Sequence, residues 1–255
     1  MSEADTLATD KRILVWDGAL RLFHWLLVAT IAVAFLSAEE ESVLNQWHMA
    51  SGWIAAILIL FRIVWGFVGG ENARFSAMFK GGGLGHHIGE MLRFKPQAVV
   101  GHDPLGWMSA LLLIAVSLAT IWTGALIVTS GGEAGEELHE LIGWSLLVLV
   151  ALHVVAVFIM SALTRENLVR AMITGSKPAG HHPGAGNAHK PSFFAYLVGL
   201  TAIIVAVFGI MKTDPQAFVP RSTETVEHEE NETNYYKHSG EHEEIEHEDN
   251  DERDE

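Results

Sequence analysis

Cysteine is absent from the 255 residues. That absence excludes a disulfide framework, an iron–sulfur cluster on thiolates and the Cys-x-x-Cys-His attachment of a c-type haem, so any haem would have to be held by coordination alone. Charge is also scarce over most of the chain. The net charge of −15 is nearly all carried from Lys212 onward, where 16 acidic side chains face 4 basic ones, which leaves the preceding part close to neutral.

Apolar residues are what the chain has in excess, 49% of the total with a mean hydropathy of +0.25. They are gathered in runs at 22–38, 47–70, 104–128, 138–163 and 192–211, each close to the roughly 20 residues that cross a hydrocarbon layer. A soluble core would interrupt such runs with charges. Only Arg62 breaks the middle of the second, the third carries no charge, and the fourth has only Glu140 near its start. A secretory signal is the competing reading of the first run, but that run is longer than a signal core and cleavage would discard His24.

Orientation follows from the lysines and arginines, which short loops retain on the cytoplasmic side. Lys11, Arg12 and Arg21 precede span one; Arg74, Lys80, Arg93 and Lys95 lie between spans two and three; Arg165, Arg170, Lys177 and Lys190 lie between four and five. The connections at 39–41 and 133–137 contain no basic residue. One alternation satisfies all five spans, with the N-terminus cytoplasmic and the C-terminal tail periplasmic, as in a multi-pass protein of a bacterial inner membrane. The expected organisation is a four-helix core over residues 1–175, a Gly/Pro/His-rich linker at 176–191, an appended fifth helix at 192–211 and an acidic tail at 212–255 too poor in apolar residues to fold alone.

Fourteen histidines are present, ten of them in loops or the tail. His24, His48, His139 and His153 instead fall within apolar spans, where an ionisable side chain is expensive and marks a candidate functional site. His139 and His153 are 14 residues apart, about 21 Å of helical rise that returns nearly to the same face. In the orientation above, His24 faces His153 at the cytoplasmic level and His48 faces His139 at the periplasmic level. Two imidazoles on facing helices are what a six-coordinate haem iron requires. With both axial positions filled, the chemistry is outer-sphere electron transfer rather than activation of a bound molecule.

The phrases His48-Met49-Ala50-Ser51-Gly52-Trp53 and His139-Glu140-Leu141-Ile142-Gly143-Trp144 are parallel. The i, i+4 spacing puts Gly52 and Gly143 beside their histidines, which makes room either for a porphyrin or for close helix packing. Arg62 and Arg21 are candidate partners for a haem propionate through paired hydrogen bonds, although Arg21 also reads as a side chain snorkelling to the interface. Trp16, Trp25, Trp47, Trp65, Trp107 and Trp144 lie near span ends and read as an interfacial belt.

The Val15-Trp16-Asp17 phrase, Arg21, His24-Trp25, His48, the Arg62 and Trp65-Gly66 phrase, and the spaced His139 and His153 together resemble the bacterial cytochrome b561 family, which includes the membrane cytochrome b subunit of nickel–iron hydrogenases. The resemblance covers about residues 12–175. It implies an all-α membrane protein, a four-helix transmembrane bundle holding two b haems, with span five as an addition. It further implies electron transfer between quinone or quinol at one membrane face and a redox partner, either a c-type cytochrome or a dehydrogenase or hydrogenase subunit. Membrane lipid surrounds such a protein, and no nucleic-acid partner is expected. Walls for a quinone site are sought in the loop at 69–103 and at the outer ends of spans two and four. The alternative is a divalent metal-ion transporter or metal-binding membrane protein using His86, His87, His181, His182, His189 and the tail histidines His228, His238, His242 and His247.

Overall fold

The computed structural model describes residues 11–39, 41–80, 99–101, 104–130 and 133–221. In chain order, a short strand β1 (Arg12–Leu14) leads into helices α1 (Gly18–Leu36), α2 (His48–Val68), α3 (Pro104–Ser130) and α4 (Glu133–Thr164), followed by a short α5 (Leu168–Thr174), strand β2 (Ser176–Pro178) and α6 (Phe193–Thr213). Among the described residues, five helices, α1 to α4 and α6, are long and apolar enough to cross a membrane.

Local chemistry sets where these helices begin and stop. The Asp17 carboxylate accepts the backbone N–H of Leu20 at 2.8 Å and so caps α1, and the Ser192 hydroxyl does the same for Ala195 of α6 at 3.2 Å. Both satisfy donors that the first helical turn leaves without a partner. After α5 the chain turns through Gly175 at φ 80°, a left-handed conformation that glycine adopts without steric cost. The Gly175 carbonyl then accepts the N–H groups of Val15 at 2.8 Å and Trp16 at 3.0 Å.

The spans form two hairpins, α1 with α2 and α3 with α4, joined through a smaller contact between α2 and α3. Helix α2 also packs along α6 and is the most buried of the five.

The densest apolar core lies at one end of the bundle rather than at its middle. There β1 pairs antiparallel with β2, Ile13 opposite Lys177, and Ile13, Val15, Trp16, Leu20, Phe23, Trp65, Ala73 and Ala195 are buried together. This changes the reading of the tryptophans. Trp25, Trp47 and Trp144 are exposed at span ends, whereas Trp16 and Trp65 are buried in this cluster, which caps the bundle, and Trp107 is buried beside Phe75.

The chain after α5 is more integrated than its composition suggests. Ala188 N–H donates to Leu14 O, and Glu71 N–H donates to His189 O, so the Gly/Pro/His-rich stretch is folded onto the N-terminal strand. Helix α6 is not merely appended: the absence of a side chain at Gly199 lets it approach Phe61 and Trp65 of α2. Beyond α6, Asp214 is buried, accepts Trp53 Nε1–H at 2.9 Å and pairs with Arg221. Ordered structure therefore continues past residue 211, because a buried carboxylate with two donors ties the start of the acidic segment to α2. Residues 222–255, and with them the tail histidines, lie outside the described residues, as do His86, His87 and most of the 69–103 loop.

Candidate haem-binding site

The antiparallel hairpins bring His48 of α2 against His139 of α4, with ring centroids 6.0 Å apart and ring planes at 90°. His24 of α1 and His153 of α4 lie within electrostatic range of one another at the other level. The four intramembrane histidines thus fall into two groups along the bundle axis.

Hydrogen bonds orient these rings. His48 Nδ1 lies 2.9 Å from Ala34 O. His139 Nδ1 lies 3.0 Å from Thr120 O and 3.0 Å from Thr123 Oγ1. The Thr123 hydroxyl donates its own proton back to the Ala119 and Thr120 carbonyls, which leaves its lone pairs to accept from His139. A ring whose Nδ1–H is held by oxygen keeps the lone pair on Nε2 and is oriented to ligate through it. His153 Nδ1 meets Ser109 Oγ at 3.0 Å, while His24 Nδ1 is buried without a hydrogen-bond partner.

Sequence reasoning missed Ala34, Ser109, Thr120, Thr123 and Gly124. A Cβ at Gly124 would stand 3.0 Å from His139 Cε1, so glycine there admits the ring. One signal was available: Ser109 and Thr123 are 14 residues apart on α3, as His139 and His153 are on α4. In an antiparallel pair such matching intervals align two polar contacts at once.

The residues fit a flat ligand with two axial positions. His48 and His139, with ring centroids 6.0 Å apart and each Nδ1 held by a backbone carbonyl, would hold such a group through their other ring nitrogens. A Cβ at Gly52 or Gly143 would meet nothing within 4 Å, so these glycines border open space rather than a tight helix contact. Arg62 is 3% exposed, lies with its guanidinium carbon 5.2 Å from the Phe75 ring centre and 6.0 Å from that of Trp107, and leaves Nη1 buried without a hydrogen-bond partner. Arg21 instead donates to the Ile173 carbonyl at the end of α5, which ties it to the cap.

Comparison with known sequences decides the family. Residues 15–175 match the family described as prokaryotic cytochrome b561. The chain belongs to the prokaryotic cytochrome b561 family. It is therefore a multi-pass membrane b-type cytochrome, and such a cytochrome transfers electrons. Among similar proteins, a probable Ni/Fe-hydrogenase B-type cytochrome subunit of Rhizobium leguminosarum bv. viciae is 23% identical over 232 residues, 69% of this chain and 97% of that protein. One of the same description from Azotobacter chroococcum mcd 1 is 24% identical over 211 residues, 64% of this chain and 87% of its own length. No solved structure shows significant similarity.

In this cytochrome b561 the remaining histidines of the described residues lie in the cap. Glu166 is buried, with Lys177 Nζ at 3.2 Å, His182 Nε2 at 2.7 Å and His181 Nδ1 at 3.3 Å. Burial pushes the His182 imidazole below its ordinary pKa, and the neighbouring Glu166 carboxylate opposes that effect only in part. His189 contacts Glu71 at 2.8 Å. Among the described residues, no group of three or more His, Cys, Asp or Glu side chains is arranged to hold a metal ion.

Proposed function

We propose that this cytochrome b561 carries two b haems, one between His48 and His139 and one between His24 and His153, and passes electrons across the bacterial inner membrane between quinone or quinol and a redox partner. Bound there, haem supplies one-electron transfer. The chain contributes the axial imidazoles, the hydrogen bonds that orient them, the open space beside Gly52 and Gly143, and the Arg62 guanidinium as a partner for a propionate.

The observation that carries the reading is the pairing of four intramembrane histidines at two depths, one pair with facing rings 6.0 Å apart. A packing role would not require two such pairs. The names of the relatives favour a hydrogenase subunit as the redox partner, with a c-type cytochrome or another dehydrogenase subunit as the other candidates. Basic residues around β1, α5 and the 69–80 segment support a cytoplasmic cap and a periplasmic end at His48 and His139.

The test is haem extraction and a reduced-minus-oxidised visible spectrum of the purified protein. The expected result is non-covalent haem in a ratio of about two per chain with low-spin b-type bands. A ratio of one, or a high-spin spectrum, would contradict the assignment.

A further inference from the structure

The family match ends at residue 175, but the described fold continues to residue 221. At the end of the bundle that holds His48 and His139, residues 214–221 form a strap beside the start of α2. Asp214 N–H closes the last turn of α6 on Ile210 O, and the Asp214 side chain and carbonyl accept the N–H groups of Gln216 at 3.0 Å and Ala217 at 3.1 Å. Ala217 is 1% exposed, so the strap is packed and not merely trailing. It grips α2 twice. Arg221 N–H donates to Gln46 O at 2.9 Å, and the buried Asp214 carboxylate accepts Trp53 Nε1–H at 2.9 Å while pairing with the Arg221 guanidinium.

His48 lies between these two grips. It opens α2, and helical geometry puts Trp53 about 140° around the helix from it, behind the turn whose front carries the imidazole to His139. That turn has no cap of its own: Trp47 at the N-cap position makes no side-chain hydrogen bond, whereas Asp17, Asn167 and Ser192 cap α1, α5 and α6. On the α1 side it is tied by Asn45 Nδ2–H to Glu39 O at 3.3 Å and by His48 Nδ1 to Ala34 O at 2.9 Å. A ligating ring keeps its aim only when the backbone that carries it is fixed as well as its Nδ1–H. The strap supplies that hold from the α6 side. Both grips fall on α2 or the turn before it, whereas His24 and His153 stand on α1 and α4.

Resting on the dihaem reading, we infer that the strap at 214–221 is a positioning device for the His48–His139 site, built from a part of this chain that lies outside the span shared with the family. Asp214 is the positioning residue. It acts on His48 through Trp53 on one side and, by way of Arg221, through Gln46 on the other. Helix α6 thereby does more than cover α2, because it carries the chain from the cap to the opposite end of the bundle, where the strap closes. Removing the Asp214 carboxylate takes the acceptor from a part-buried indole N–H and the counter-charge from Arg221 together, so both grips weaken at once.

Asp214→Ala in the full-length protein tests this, with Asp214→Asn as the conservative variant. Haem transfer to an excess of apomyoglobin and the low-spin ferric resonance signals report on the two sites, and amide hydrogen exchange over residues 43–53 reports on the turn. In Asp214→Ala, the haem whose signal His48→Ala removes should show a shifted signal and leave about tenfold faster, the size typical of disturbing the contacts that support a ligand. Amides at 43–53 should exchange faster, and the other haem should leave at the unsubstituted rate. Asp214→Asn, which keeps an oxygen for Trp53 Nε1–H, should recover part of the loss. Equal loss of both haems, unchanged rates for both, or unaltered exchange at 43–53 would overturn the inference while leaving the dihaem reading intact. Fewer than two low-spin haems in the unsubstituted protein would sink that reading, and the inference with it.

Discussion

The Asp17 carboxylate joins two helices that start 30 residues apart, capping α1 through Leu20 N–H at 2.8 Å while accepting Trp65 Nε1–H of α2 at 3.2 Å. The Trp-Asp phrase before span one and the Trp-Gly phrase at the end of span two are thus a single contact in space. Gly70 belongs to it, because a Cβ there would stand 2.6 Å from the Asp17 carboxylate. Replacing Asp17 by Ala removes a helix cap of about 1 kcal/mol and leaves the buried indole N–H of Trp65 without its acceptor, about 1–3 kcal/mol more. Thermal unfolding in detergent should show the loss, with Asp17→Asn, which keeps an oxygen acceptor for both donors, losing less. Equal stability of Asp17→Ala and the unsubstituted protein would contradict it.

His139→Ala should remove one haem and spare the other, because His24 and His153 lie at a separate level on the far side of about 21 Å of helix. Visible spectra of the variant should keep half of the low-spin haem absorbance. Loss of both haems with the helices still folded, or of neither, would refute the pairing.

Gly124→Val should reach the same outcome without touching a histidine. Its Cβ would already stand 3.0 Å from His139 Cε1, and the branched methyl groups leave the ring no room. Gly143→Leu differs in mechanism, since no protein atom lies within 4 Å of a Cβ there. It should leave the helical content by circular dichroism unchanged while lowering haem content. Full haem occupancy in both variants would mean that these glycines do not shape the site.

Acid should loosen the cap. Burial holds the His182 pKa below its ordinary value of 6.5, so the folded protein takes up this proton less readily than the unfolded chain. The contribution is complete above that value and is lost as pH falls below it. Glu166, Lys177 and His181 are the charged or titratable groups around it. Melting temperatures between pH 7.5 and 5.5 should fall more steeply for the unsubstituted protein than for His182→Gln. Parallel curves would show that His182 has no part in the dependence.

Much of the membrane architecture was legible because hydropathy is a collective signal: five long apolar runs with almost no charge in them leave little freedom in how they fold. The histidines were legible for a related reason, since a polar side chain in such a run stands out singly. What escaped was set by tertiary register. Ser109 and Thr123 read as ordinary small polar residues until α3 is laid antiparallel to α4. Strands β1 and β2 are three residues each and carry no periodicity of their own. Trp65 and Trp107 read from their positions as part of an interfacial belt, but tertiary packing buries both. The fold of residues 214–221 depends on Asp214 finding Trp53 and Arg221 at once, which no local pattern encodes.

The most direct test of the central claim is low-temperature electron paramagnetic resonance of the oxidised protein and of the two single variants His48→Ala and His24→Ala. Two low-spin ferric signals are expected, with a different one lost in each variant. A single low-spin signal, or the loss of the same signal in both variants, would contradict two separate sites with paired histidine ligands.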